Sequence, residues 1–273
     1  MKTALVFSGG SSKGAHQVGM VKALLEKEND LDIIGLYGTS VGALNSAGLS
    51  YVGIEGLEKV WLDLRKNSDI LRFKWLTLGP VFGSAIYNTK PLRKILDNIL
   101  GSNSPKYPVC VTKVNIETGE LVYGKSSDDD FINSVHASTA VPFAMEPIDN
   151  IWVDGGVRDQ TPLKKAIDDG AERIIVFLAN PWRTNPEFEK RPGGFLKGFR
   201  IGMRAIDIVS HEIFVSDVNN CLSKNDDSRY KKIVLEVYAP KELKIGSEEF
   251  DPVKIRAAMK HGYESYLMGP VIK

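Results

Sequence analysis

The chain has 273 residues, 43% hydrophobic and 25% charged, with 35 Lys and Arg against 34 Asp and Glu for a formal net charge of +1. This is the composition of a soluble globular domain; it excludes a disordered chain, a coiled coil and a collagen-like repeat, and it lacks the basic excess of a nucleic-acid binder. The two cysteines, Cys110 and Cys221, have no CxxC partner, so neither a disulfide scaffold nor a zinc site is expected and a reducing cytoplasm is the default compartment.

The elements follow in chain order. Ala4–Phe7 is an apolar run ended by Gly9-Gly10 and reads as a buried strand. It is too short for a signal-peptide core of about 7–15 residues, and no run reaches the roughly 18 of a membrane span. Pro270-Val271-Ile272-Lys273 carries no lipidation signal, so any membrane contact is expected to be peripheral. Val18, Val21, Leu24 and Leu25 predict a helix over Lys13–Lys27; Ile33–Tyr37 predicts a second strand, and Val41, Leu44, Ala47 and Leu49 a helix directly after it. Strand, helix, strand, helix within about 50 residues is the pattern of an α/β parallel sheet.

Ile54–Arg65 reads as a separate helix, and Pro91 sits where another would begin. Leu71–Tyr87, rich in aromatics, reads as core, with a lid or acyl-chain wall as the functional alternative. Val109–Val114 and Glu120–Tyr123 flank a turn and predict a hairpin, and Asp128 or Asp129 is placed to cap a helix reaching Thr139. Ile151–Val153 is a short strand, Pro162–Asp169 a helix ended by Gly170, and Arg173–Ala179 a strand. Pro181–Gly194 is the expected boundary between a core of about residues 3–180 and an extension of about 195–273 within one domain, 1–273. In that extension Phe195, Phe199, Met203, Ile206, Val209 and Ile213 form a helical stripe beside Lys197, Arg200 and Arg204. It reads as core-facing, with anionic membrane as the alternative and Phe195, Phe199 and Met203 as first contacts. Ile233–Tyr238 is a strand and Pro252–Leu267 the last helix.

Three motifs point to chemistry. Gly38-Thr39-Ser40-Val41-Gly42 is a G-x-S-x-G between a predicted strand and a predicted helix, the setting of a nucleophile elbow. Ser8-Gly9-Gly10-Ser11-Ser12-Lys13-Gly14 follows the first strand; glycines there let backbone N–H groups converge on an anion or oxyanion. It fits neither the phosphate-loop nor the dinucleotide pattern, because Lys13 precedes Gly14 and Ser11 stands at the second glycine position. Asp154-Gly155-Gly156 ends a strand, where an aspartate serves either as a base or as a turn residue. A base there needs partial desolvation, because a free carboxylate has a pKa of about 3.9.

Taken together, Gly9-Gly10-x-x-Lys13-Gly14, Gly38-Thr39-Ser40-Val41-Gly42-Ala43, Ala137-Ser138-Thr139-Ala140-Val141-Pro142, Asp154-Gly155-Gly156 and Thr161-Pro162-Leu163 resemble the patatin-like phospholipases over roughly residues 3 to 180. The resemblance implies a three-layer α/β/α fold around a mainly parallel sheet. It implies a serine hydrolase of carboxylic esters, of phospholipase A or lysophospholipase type, that uses a dyad: Ser40 as nucleophile and Asp154 as base, with Gly9, Gly10 and Ser11 amides as oxyanion hole. Lys13 matches a position that is basic in the family, and Ser11 departs from it by replacing a third glycine; if that position needs positive φ, serine costs about 1 kcal/mol. No metal or organic cofactor is implied, the partner is a phospholipid or other acyl ester, and the compartment is cytoplasmic with room for peripheral membrane contact. Two alternatives stay open: a triad esterase for small soluble esters using His211 or His261, which the pattern places in helices, and a non-catalytic nucleotide- or lipid-binding α/β protein. His16 and His136 precede Asp154, and all four histidines read as surface or packing residues.

Overall fold

The computed structural model describes residues 1–70, 72–73, 87–182, 197–225, 232–246 and 249–273. The first half runs β1 (Lys2–Phe7), α1 (Ala15–Lys27), β2 (Asp32–Gly38), α2 (Val41–Asp63), β3 (Arg72–Phe73), β4 (Tyr87–Asn88) and α3 (Lys90–Leu100), then β5 (Val109–Asn115), β6 (Leu121–Lys125) and α4 (Phe131–Ala137). The second half runs β7 (Trp152–Asp154), α5 (Leu163–Asp168), β8 (Arg173–Phe177), α6 (Lys197–Asn225), β9 (Val234–Tyr238) and α7 (Pro252–Leu267). The sheet order is β6-β5-β2-β1-β8-β9, with β7 also on β5. The contacts β5–β2, β2–β1, β1–β8 and β8–β9 are parallel, while β6 and β7 run antiparallel to β5.

Strand alternation builds the layers. Successive side chains point to opposite faces, so Leu5 and Phe7 of β1 join a core with α1, α2, α3 and α7, while Ala4 and Val6 join a core with α5 and α6. The molecule is therefore the expected α/β/α stack. β9 extends the same sheet beyond β8, and α7 lies against α1, where a Cβ on Gly262 would stand 2.0 Å from the His16 carbonyl oxygen.

Several boundaries differ from the sequence reading. The break expected between two helices over residues 41–65 holds, however: α2 consists of two helical stretches joined across a kink at Gly53, whose φ of 71° and ψ of −179° are non-helical and cost little only for glycine. Asp128 and Asp129 do not cap α4: its N-cap is Asp130, which makes no side-chain cap bond, and Asp128 instead accepts the Lys125 N–H in the preceding turn. On α6 the buried face is Phe214, Val218 and Cys221, whereas Val209 of the expected stripe is exposed along with Ile201 and Ile208. Ile213 of the expected stripe is half-buried, and Phe214, Val218 and Cys221 place core-facing residues further along the helix than the stripe reached. Phe195 and most of 71–87 and 181–194 lie outside the described residues, as do the side chains of Lys197, Phe199, Arg200, Met203 and Ile206. Among the described residues no helix is long and apolar enough to cross a membrane.

Candidate active site

Strand register brings the two motif strands end to end. On one edge of β5, β6 pairs with Cys110–Val114. On the other edge β2 pairs with Val109–Val111 and β7 with Lys113–Asn115. β2 runs parallel to β5 and β7 antiparallel, so their C-termini point at each other across two residues of β5, about 7 Å. Ser40 leaves the end of β2 and Asp154 is the end of β7. The Ser40 hydroxyl stands beside the Asp154 carboxylate and favours its ionised form.

Ser40 sits at φ 57° and ψ −124°, a conformation that a residue with a side chain adopts only under strain. Its surroundings enforce it. A Cβ on Gly38 would stand 2.2 Å from the Gly42 carbonyl oxygen, and one on Gly42 would stand 2.2 Å from the Phe7 carbonyl oxygen. The turn thus closes only with glycine at both places, which is the steric reason for the G-x-S-x-G spacing. The Ser40 N–H donates to Ser138 Oγ at 3.0 Å, and Thr39 Oγ1 donates to the Asp159 carbonyl at 2.9 Å.

Asp154 is 4% exposed. Its Oδ1 accepts the Gly156 N–H at 2.7 Å, and its own N–H donates to the Ala140 carbonyl at 2.9 Å. Burial raises its pKa to about 7, against the Gly156 bond and the Ser40 hydroxyl, which favour the carboxylate. Gly155 is needed by proximity, since a Cβ there would lie 2.0 Å from Thr112 Oγ1. A second buried carboxyl, Asp159, is raised to about 6 by burial and by the Asp217 charge, with Tyr123 donating to it.

The glycine loop lies across the same sheet edge. A Cβ on Gly9 would come within 3.3 Å of Ser40 Cβ, so the loop and the elbow touch. The Gly9 N–H, however, donates to the Gln160 carbonyl at 3.0 Å. The three-amide oxyanion hole expected from the sequence therefore loses Gly9, because one N–H makes one strong bond. Gly10 and Ser11 follow it into the 3-10 turn over Ser11–Gly14. Ser11 has φ 55°, the left-handed region in which serine carries the cost anticipated for it. Ser11→Gly is expected to raise Tm by about 1–2 °C, the relief of strain being partly offset by glycine's extra unfolded-state entropy. A fall of more than 2 °C in a thermal melt would show that the serine side chain holds the loop.

Lys13, 8% exposed, donates to Asn180 Oδ1 at 2.7 Å and so ties the loop to the chain leaving β8. A Cβ on Gly14 would stand 2.4 Å from Val41 Cγ2, which presses the loop onto the start of α2. Behind the loop lies a polar network that sequence reasoning missed. Gln17 Nε2 donates to the Ser8 and Phe177 carbonyls, Asn45 Nδ2 donates to Gln17 Oε1 and to the Gly14 carbonyl, and Trp61 Nε1 donates to Asn45 Oδ1. Gln17 and Asn45 are fully buried. The signal was a glutamine and an asparagine inside otherwise apolar helix faces.

The histidines are engaged elsewhere. His16 Nδ1 donates to the Lys13 carbonyl and Nε2 accepts the Lys244 N–H; burial holds its pKa down to about 4. His136 bonds Thr89, His211 packs on Trp182, and His261 accepts the Glu242 N–H. Among the described residues no group of three or more His, Cys, Asp or Glu is arranged to hold a metal ion.

The family model described as patatin-like phospholipase matches residues 5–167, which span the glycine loop, the elbow and the DGG turn. The chain belongs to the patatin-like phospholipase family. It is 26% identical over 187 residues to a cGAMP-activated phospholipase of Escherichia coli, covering 58% of this chain and 52% of that protein. It is 25% identical over 200 residues to an NTE family protein of Mycobacterium bovis, covering 70% of this chain and 52% of that protein. The chain thus spans about half the length of these two relatives. The fold is similar to that of VipD from Legionella pneumophila, with a TM-score of 0.54 at 14% identity over 98% of this chain and 66% of that one. In this patatin-like fold the glycine loop and the Ser40 elbow leave the C-terminal ends of β1 and β2, where open α/β sheets place their sites.

Proposed function

We propose that the protein is a lipid acyl hydrolase that cleaves carboxylic esters of phospholipids or lysophospholipids through a Ser40–Asp154 dyad. The observation that carries this reading is the strained Ser40 at the end of β2, set against the buried Asp154 carboxylate at the end of β7, whose pKa is raised to about 7. A base with that pKa accepts a proton far more readily than an ordinary aspartate and is still ionised near neutrality. Ser40 Oγ attacks the ester carbonyl carbon while its proton passes to Asp154. The Gly10 and Ser11 amides stabilise the oxyanion, each donor contributing on the order of 3 kcal/mol. The ester C–O bond breaks, and Asp154 returns the proton to the departing alcohol. Asp154 then takes a proton from water, the hydroxide attacks the acyl-serine, and Ser40 leaves reprotonated with release of the fatty acid. Membrane contact in this reading is peripheral. The engagement of His211 with Trp182 and of His261 with Glu242 favours the dyad over a triad.

The test is fluorophosphonate labelling, with the adduct mapped by mass spectrometry and fatty-acid release from mixed phospholipid vesicles followed in parallel. The expected result is one adduct, on Ser40, absent in Ser40→Ala, and fatty acid released only by the unsubstituted protein. Fatty-acid release that survives Ser40→Ala would remove Ser40 as nucleophile.

A further inference from the structure

Phe143 is a bulky residue at φ 68°, a true outlier for a side chain of its size. It is also 62% exposed, and it is the one exposed aromatic among the residues whose side chains are described. Neither backbone preference nor core packing accounts for a phenylalanine there. Single exposed aliphatic residues need no explanation, but an exposed aromatic held in a costly conformation does, and such strain gathers where a ligand is bound.

The turn that carries it is tied down on both sides. The Ala140 carbonyl accepts the Asp154 N–H at 2.9 Å, and the Ala144 carbonyl accepts the Tyr87 N–H at 2.9 Å; both alanines are buried. Within the turn the Met145 N–H donates to the Val141 carbonyl at 2.9 Å. Ser138, whose hydroxyl accepts the Ser40 N–H, lies two residues before Ala140. The Phe143 backbone is therefore no more than about 11 Å along the chain from the bond to Asp154, and its exposed ring is carried on a fixed support.

Resting on the hydrolase reading above, we infer that Phe143 is a specificity-determining residue whose ring packs against the acyl chain of the substrate. Hydrocarbon laid along the ring removes apolar area from water, and the gain grows with chain length until the ring is covered. A butyryl ester, with only a short propyl chain beyond its carbonyl, offers little hydrocarbon to lay along the ring.

The experiment compares kcat/KM for p-nitrophenyl butyrate and p-nitrophenyl laurate, both below their aggregation limits, in the unsubstituted protein, Phe143→Ala and Phe143→Gly. Labelling by a short-chain fluorophosphonate and Tm are measured alongside. The expected result is butyrate turnover and labelling within twofold in all three, with laurate kcat/KM lowered about tenfold in both variants. Phe143→Gly should also melt at or above the temperature of the unsubstituted protein, since glycine accepts the positive φ. Equal losses on both esters, or none, would overturn the inference and leave the dyad standing. A loss seen only on phospholipid vesicles would also overturn it, by assigning the ring to a bilayer. If the unsubstituted protein takes no label and cleaves neither ester, the hydrolase reading falls and this one falls with it.

Discussion

Asp154→Asn is expected to lower the rate of Ser40 labelling and of ester turnover about a thousandfold, while leaving the elbow intact. General base catalysis supplies about 10²–10⁴ in rate, and an asparagine still accepts the Gly156 N–H that positions the group. The pH profile carries the sharper test. In the proposed dyad the base is the ionised carboxylate, so kcat/KM should fall on the acid side with an apparent pKa of about 7, losing about tenfold per pH unit below it. An ordinary surface aspartate would place that limb near 4. Asp159→Asn is the control, because its carboxyl, raised to about 6, bonds Tyr123 rather than Ser40 and should leave the limb where it is. A limb near 4, or one that moves with Asp159, would mean that another group is the base.

The same shift has a stability consequence of defined sign. Between about pH 4 and 7 the folded protein keeps the Asp154 proton while the unfolded chain has released it. This group's contribution is therefore full below the unfolded pKa, falls as pH rises, and is gone above about 7, a loss on the order of 4 kcal/mol. Asp154→Asn removes that dependence. It should melt above the unsubstituted protein at pH 8 even though it is nearly inactive, the trade expected when a charge is buried for catalysis.

The largest structural effect is expected at the crossing of α1 and α7. A Cβ on Gly262 would stand 2.0 Å from the His16 carbonyl oxygen, and one on Gly19 would stand 1.8 Å from the Met259 carbonyl oxygen. Both obstacles are backbone, which cannot swing aside, so either Gly→Ala change forces the helices apart and loosens Ile255, Ala258 and Met259 in the core. The expected cost is about 3 kcal/mol, a fall in Tm of roughly 6–12 °C. The damage should reach the site as slower labelling. The segment before α7 holds the glycine loop, with Ser12 Oγ donating to the Gly246 carbonyl and the Lys244 N–H to His16. Gly202→Ala on α6, where a Cβ meets nothing within 4 Å, should be neutral or slightly stabilising. A Tm for Gly262→Ala within 2 °C of the unsubstituted protein would refute the close crossing.

Much of this molecule is local and therefore readable along the chain. The strand–turn–helix around Ser40, the hairpin at Gly119, the proline starts of α3 and α7 and the α/β/α layering all follow from short-range sterics and from apolar periods of two and 3.6. Gly38 and Gly42 belong here as well, because the contacts that forbid a side chain arise within a few residues or from the adjacent strand. The errors came where neighbours outside the segment decide. Asp130 rather than Asp128 or Asp129 precedes α4, because the Asp128 carboxylate is taken by the Lys125 N–H, and Gln160 takes the Gly9 amide.

The sequence by itself determined which residues the proposed dyad is built from: a serine between small residues, an aspartate at a strand end, and a glycine-rich loop. Tertiary structure decided how they stand. Pairing of β2 and β7 along one edge of β5 sets Ser40 against Asp154 across more than a hundred residues of chain. Burial then raises the Asp154 pKa, Gln160 takes the Gly9 amide, and Phe143 is left strained and exposed. The physical reason is one of range. Torsional preference and steric exclusion act over a few residues and are written in the local sequence, whereas desolvation and hydrogen-bond competition depend on which distant segments the fold brings into contact.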